Sequence, residues 1–253
     1  MERRRLTQRL HPALSDVLSR LEGTGIGRAF TDRAVEVSTL TAFGDPIDHA
    51  AGLAVHRWVL ERADGDGLPL TASGYLKPVD VRALAAMMPT MRDWPFSMAR
   101  EIDVRPVLDF REYLKAIGLL RKYKASLRLT KAGRTGLADP DALWRQLADT
   151  LVLSGSDFDV HASIVVLVHM ATTDERIDVD AVAKTMTALG WSHSDGTAVD
   201  GIEVYPVWND LWTALGNSGD SAAAHFSHRK LGPSARVLIH DALFHEIEGE
   251  PIS

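Results

Sequence analysis

The chain has 253 residues, of which 45% are hydrophobic and 25% charged, with a formal net charge of −6 and no cysteine. This is globular composition, enough for one large domain or two of about 100 residues. Its mild acidity argues against a sequence-blind nucleic-acid binder while permitting a local basic face. The lack of cysteine excludes disulfides, thiolate zinc sites and a cysteine nucleophile, and fits a cytoplasmic location.

The opening "MERRRLTQRL" has no apolar run behind its basic residues and does not read as a secretory signal. "HPALSDVLSRLEG" (11–23) reads as a short helix with Pro12 in its first turn and Gly23 at its end. "GTGIG" (23–27) reads as a flexible turn, because no strand precedes it and no phosphate-loop lysine follows. Residues 1–45 are therefore expected to form an N-terminal helical arm or a small packing element. A helix is predicted over 48–63, stopped by "DGDG". Val81, Leu84, Ala85 and Met88 then mark one face of a helix bounded by Pro78 and Pro89.

Beyond a loop at 89–105, Val107, Phe110, Leu114 and Ile117 form an apolar stripe at helical spacing, with Arg111, Glu112 and Lys115 on the other side. "RKYKASLRLT" (121–130) alternates, which places Tyr123, Ala125, Leu127 and Leu129 on one strand face, and "KAGRTG" reads as a turn. A further helix starts at Pro140, capped by Asp139. Helix, helix, helix, hairpin, helix is the order of a winged helix, with the third helix able to enter a groove and the hairpin as its wing. Downstream, "ASIVVLVHMA" (162–171) is about half the length that spans a bilayer, so it is expected to be a buried helix, with a core strand as the alternative, and no membrane segment is foreseen.

The second half echoes the first in short strings: Val179-Asp180, Pro206-Val207 and "HDALF" (240–244) each stand 100 residues after Val79-Asp80, Pro106-Val107 and "PDALW" (140–144). The resulting expectation is a mainly α protein (α+β with short hairpins) built of tandem winged-helix-like units: an arm at 1–45, a basic unit at 46–153 and an acidic unit at 154–253. "LTASGYLKP" and "GLLRKYKASLRLTKAGRTGLADPDALW" resemble a family of uncharacterised actinobacterial proteins. In that family the region sometimes follows a plasmid-type open-reading-frame domain, which is not evident here. The resemblance covers roughly residues 68–250. It implies the same layout and no activity or catalytic residue.

Charge divides the chain. Residues 100–134 hold ten cationic residues against four carboxylates, a net +6, whereas 139–220 hold three against fourteen, a net −11. Phosphate contacts by Lys and Arg dominate nucleic-acid affinity. The candidate site is therefore Arg111 and Lys115 on the third helix with Arg121, Lys122 and Lys124 on the wing, and double-stranded DNA is the expected ligand. Glu112 weakens the reading. The alternative is a protein-interaction adaptor or a homodimer through the acidic second unit, whose helix at 205–216 exposes Asn209, Asp210 and Thr213 and buries Val207, Leu211 and Leu215. Trp208 and Trp212 read as packing residues.

His225, His228, His240 and His245 lack the spacing of a metal site, and "DERIDVD" (174–180) lacks the glycine and glutamate of a calcium loop. His161 and His169 read as capping or satisfied core residues. No catalytic residue, metal or cofactor is assigned, and the protein is not read as an enzyme.

Overall fold

The computed structural model describes residues 8–41, 46–92, 94–174, 177–221, 223–224 and 228–246. The chain is mainly α-helical, with short antiparallel strands. In order it forms β1 (Gln8–Leu10), α1 (Pro12–Arg20), α2 (Gly25–Ser38), α3 (His49–Gly52), α4 (Ala54–Ala63), β2 (Leu68–Pro69), α5 (Pro78–Met87) and α6 (Arg105–Ala116). Then come β3 (Leu120–Tyr123), β4 (Ser126–Leu129), α7 (Lys131–Ala138), α8 (Pro140–Leu151) and α9 (Asp157–Ala171). The last elements are α10 (Val179–Ala188), α11 (Gly201–Leu215), β5 (Ala223–Ala224), β6 (His228–Arg229), α12 (Pro233–Leu243) and β7 (Phe244–Glu246).

Helix α9 is the central post. Every residue from His161 to Ala171 is buried, as expected of a helix apolar on all sides. Helices α1, α2, α10, α11 and α12 pack around it. Ser156 and Asp159 close a capping box that fixes its start. His161 is a satisfied core residue, as its position suggested: Nε2 meets Asp16 Oδ2 at 2.9 Å, and Nδ1 accepts the Trp191 indole N–H at 3.1 Å. Trp208 and Trp212 are buried. Among the described residues no helix is long and apolar enough to cross a membrane.

Residues 8–41 pack into the body. Leu14, Val17, Leu21, Phe30 and Val37 join one apolar cluster that runs through both halves of the chain, and β1 pairs antiparallel with β7, Leu10 opposite Phe244. The expected units at 46–153 and 154–253 share that cluster. Helix α6 packs on α11, α8 packs on α12, and the Trp144 indole donates to Asp241 Oδ2 at 2.7 Å.

Four local expectations change. The "GTGIG" stretch opens α2, with Thr24 as cap accepting from Gly27 N–H, in place of the turn that its glycines suggest. The helix foreseen over 48–63 breaks at Leu53 into α3 and α4. "KAGRTG" is helical within α7, because Thr130 accepts from Gly133 N–H and supplies the cap that a bare small-residue run lacks. The register of internal similarity also differs from the constant spacing of 100. The Thr71–Tyr75 turn has Thr71 N–H donating to Tyr75 C=O and Gly74 N–H to Thr71 C=O, and the His193–Thr197 turn repeats both bonds. Gly74 and Gly196 hold matching positive φ angles of 85° and 82°, which glycine adopts freely. A β-bridge flanks each turn, Leu70 to Leu76 and Ser192 to Ala198. Thr71 thus corresponds to His193, and α11 comes after its turn as α5 comes after the first. "PDALW" opens α8 whereas "HDALF" runs from the end of α12 into β7, so those two strings face each other across an interface.

Two histidines make the fold acid-sensitive. His56 is buried against Phe110, with neither ring nitrogen in a hydrogen bond of ordinary geometry, and burial pushes it down to about 4; the Ala214 backbone opposes this only in part. Burial, helped by Arg33 and opposed by Asp178, does the same to His169, also to about 4. Both folded values lie below the ordinary 6.5, so the unfolded chain binds more protons between about pH 6.5 and 4. Stability from these groups is present in full above pH 6.5 and falls as pH drops toward 4, by up to about 3 kcal/mol for each. Urea unfolding at pH 7.5 and pH 4.5 is expected to show one transition, with a lower midpoint at the acid pH. His56→Leu is expected to remove about half of that difference, His169 supplying the rest.

Candidate nucleic-acid interface

The site is assembled around a buried ion pair. Glu101 is fully buried at the end of the loop that precedes α6. One carboxylate oxygen accepts the Leu76 N–H at 2.6 Å and the other accepts Arg111 Nε at 2.6 Å. Arg111 is only 5% exposed, and its second arm reaches Glu112 Oε1 at 3.0 Å. The pair locks α6 to the 71–76 turn, which leads by way of Gly67 and β2 to the hairpin. Strand β4 sits between β2 and β3, with Leu127 opposite both Leu68 and Lys122.

Sequence spacing puts Arg111 on an exposed face, and the structure places it inside. Leu108, three residues before it, and Val107, four before, are both buried, so the buried arc of α6 is wider than the stripe read from the sequence. Lys115 Nζ binds Glu112 Oε2 at 2.6 Å. Arg105 likewise pairs with Asp109 at 2.9 Å and Arg100 with Asp103 at 2.7 Å. Every cation between 100 and 116 thus holds a carboxylate of its own chain.

The cleft beside α6 is acidic. Glu112 and Tyr113 line its volume of about 500 Å³ with Asp149 and Thr150 of α8 and Asp210 and Thr213 of α11. Burial pushes the Asp109 carboxyl up, with Arg105 opposing; burial also raises Asp210, and the Asp109 charge adds to it. Burial raises the Tyr113 phenol as well, with Thr150 opposing.

The hairpin differs. Its register pairs Leu120 with Leu129, Arg121 with Arg128, Lys122 with Leu127 and Tyr123 with Ser126, leaving Lys124 and Ala125 as the turn. A two-residue turn reverses the parity assumed for one continuous strand. Tyr123 therefore falls opposite the Leu127 face, together with Arg121, Ser126 and Arg128. Arg121, Lys124 and Arg128 place their charges 5.5, 5.5 and 5.1 Å from the centre of the Tyr123 ring. Lys122 lies on the other face, where its Nζ would stand 3.1 Å from a Cβ at Gly74. Among the described residues, none of Arg121, Lys122, Lys124, Arg128, Lys131 and Arg134 has a carboxylate within salt-bridge distance, although Arg134 donates to the Leu129 carbonyl.

Of the five residues that the sequence suggests, the structure brings Arg121 and Lys124 together, puts Lys122 on the other side of the same hairpin, and separates off Arg111 and Lys115. Tyr123 and Arg128 share the face of Arg121 and Lys124, and the candidate site read from the sequence leaves both out. Their signal is the short interval Lys124-Ala125, which can only be a turn if both flanking runs are strands. Among the described residues no group of three His, Asp or Glu is placed to hold a metal ion. Glu175, His225 and the His228 side chain lie outside the described residues.

Two stability measurements separate the structural from the exposed cations. Glu101→Ala and Arg111→Ala are each expected to lower unfolding free energy by about 3–5 kcal/mol, because each strands a buried charge. Arg121→Ala should stay within about 0.5 kcal/mol. Lys124 holds φ at 52°, in the left-handed region that costs a non-glycine residue about 1–2 kcal/mol. Lys124→Gly is therefore expected to raise the denaturation midpoint.

Residues 50–142 match the family model of the Y4jL N-terminal domain. No curated protein and no solved structure matches the chain. The family match takes in α4, the Thr71–Tyr75 turn, α6, the hairpin and the start of α8, and so supports the resemblance of this region to an uncharacterised family.

Proposed function

We propose that the protein is a non-enzymatic nucleic-acid-binding or regulatory protein that contacts phosphates through the β3–β4 hairpin. In this reading residues 46–153 act as a winged-helix-like unit of the kind implied by the resemblance to an actinobacterial family, and α6 positions the wing without reading a groove. The observation that carries it is the sorting of charge: cations from Arg100 to Lys115 are neutralised within the chain, and those from Arg121 to Arg134 have no carboxylate partner among the described residues. Unpaired Lys and Arg cost little when solvated and are free to displace counterions from phosphate.

The acidic cleft beside α6 favours a second reading, in which the hairpin of one copy docks on Glu112, Asp149 and Asp210 of another and the protein serves as an adaptor or dimerisation module.

The deciding experiment compares the wild type, Lys115→Ala and the triple variant R121A/K122A/K124A for DNA affinity across salt concentrations. The triple variant is expected to bind more weakly and to lose about 0.7–0.9 from the salt slope for each phosphate contact removed, while Lys115→Ala stays within about twofold. Unchanged affinity and slope in the triple variant would discard phosphate contact by the hairpin. Salt-sensitive self-association in the ultracentrifuge, abolished in the triple variant and with no DNA retained, would establish the second reading instead.

A further inference from the structure

The outer face of the hairpin gathers three cations around one aromatic ring, which offsets part of their mutual repulsion. Arg121 and Arg128 are directly opposite, a like-charge cross-strand pair, with no carboxylate of the described residues paired to either. Lys124 is held at positive φ at the tip. Between these cations sits Tyr123, 41% exposed, opposite the small Ser126. A partly exposed aromatic ring with three cations over it has the two components that single-strand binders combine, a surface on which a base can stack once a side chain swings aside and charges for its flanking phosphates.

The rest of the unit is poorly suited to a duplex. The outward row of α6 carries Arg105, Asp109 and Glu112, whose carboxylates are already paired with Arg105, Arg111 and Lys115, and Asp210 of α11 stands beside it. A helix entering the major groove would offer phosphates no unpaired cation and bring Asp149 and Asp210 toward them, and Arg111 cannot reach a base edge from inside the core. Unpaired nucleotides need only the hairpin.

We infer that the hairpin takes unpaired nucleotides of a single strand, with Tyr123 stacking on a base and Arg121, Lys124 and Arg128 holding the adjacent phosphates. This rests on the hairpin reading of function and narrows its ligand.

The test measures anisotropy with short oligothymidylate, oligouridylate and a DNA duplex, using the wild type, Tyr123→Ala, Tyr123→Phe and R121A/K122A/K124A, each checked for an unchanged thermal midpoint. Single strands are expected to bind at least about tenfold more tightly than the duplex. Tyr123→Ala should lose about tenfold in single-strand affinity with the salt slope unchanged, and Tyr123→Phe should retain binding. The ratio of the two oligonucleotides identifies which backbone is preferred, and tight binding of either supports the inference. Equal duplex binding, or a Tyr123→Ala protein that binds single strands like wild type, overturns the inference; a lower affinity and slope in the triple variant would then leave the phosphate reading standing. If neither strand form is retained at low salt, both readings fail together.

Discussion

The Glu101 carboxylate is the point on which the first half of the molecule hangs. A fully buried carboxylate is tolerated only when its charge and lone pairs are matched, and here two elements far apart in sequence do the matching: the backbone of Leu76 and the guanidinium of Arg111. Removing either partner would leave a bare charge in the core. The consequence is geometric. The turn at 71–76, the loop end at 101–104 and α6 are held in one arrangement, and the chain leaves the end of α6 at a fixed angle.

The hairpin begins there, and its root is as tightly specified. Gly118 takes φ of 77°, turning the chain after α6, and Leu119 N–H donates back to the Leu114 carbonyl. Thr130 closes the other end. Its hydroxyl donates to the Gly118 carbonyl at 2.5 Å and accepts the Gly133 N–H at 3.0 Å, so one side chain seals the hairpin and starts α7. Leu120, Leu127 and Leu129 anchor the inner face in the core. The outer face of the hairpin is less committed to packing: Ser126 and Arg128 are half-buried beside Gly67, while Arg121, Tyr123 and Lys124 are exposed.

Helix positions were legible because their signals are local. Pro78, Pro140 with Asp139, and the stripe of Val107, Phe110 and Leu114 each report on their own few residues, and each lies where its helix lies. Two kinds of information were not local. The partner of Arg111 is Glu101, ten residues away across a loop, and an arginine on a helix looks solvated until its acceptor is known. The face of Tyr123 depends on where the strand reverses, and an error of that kind moves a residue from the core side to the solvent side at one stroke. The constant spacing of 100 between the halves gives way to another register for a related reason. Short identical strings at one spacing are weak beside a repeated hydrogen-bond pattern, and the Thr71 and His193 turns share the pattern without sharing most of the residues that make it.

An acidic protein with one basic projection faces an electrostatic constraint of its own. At physiological ionic strength charges are screened beyond about 8 Å, so a phosphate at Tyr123 responds chiefly to Arg121, Lys124 and Arg128 and little to remote carboxylates. At low salt the screening length grows, and the net charge of −6 opposes approach of any polyanion. The two effects pull in opposite directions: dilution strengthens the local contacts through counterion release and strengthens the long-range repulsion as well. If the hairpin holds phosphates as proposed, the apparent salt slope of the whole protein would therefore be shallower than the number of phosphate contacts implies. On the single-strand proposal, Asp149 and Asp210 beside α6 would oppose a long duplex, whose charge is dense and whose bulk would pass close to them, whereas a single strand would bend around the hairpin tip and keep its distance. The acidic cleft would then set ligand choice without touching the ligand.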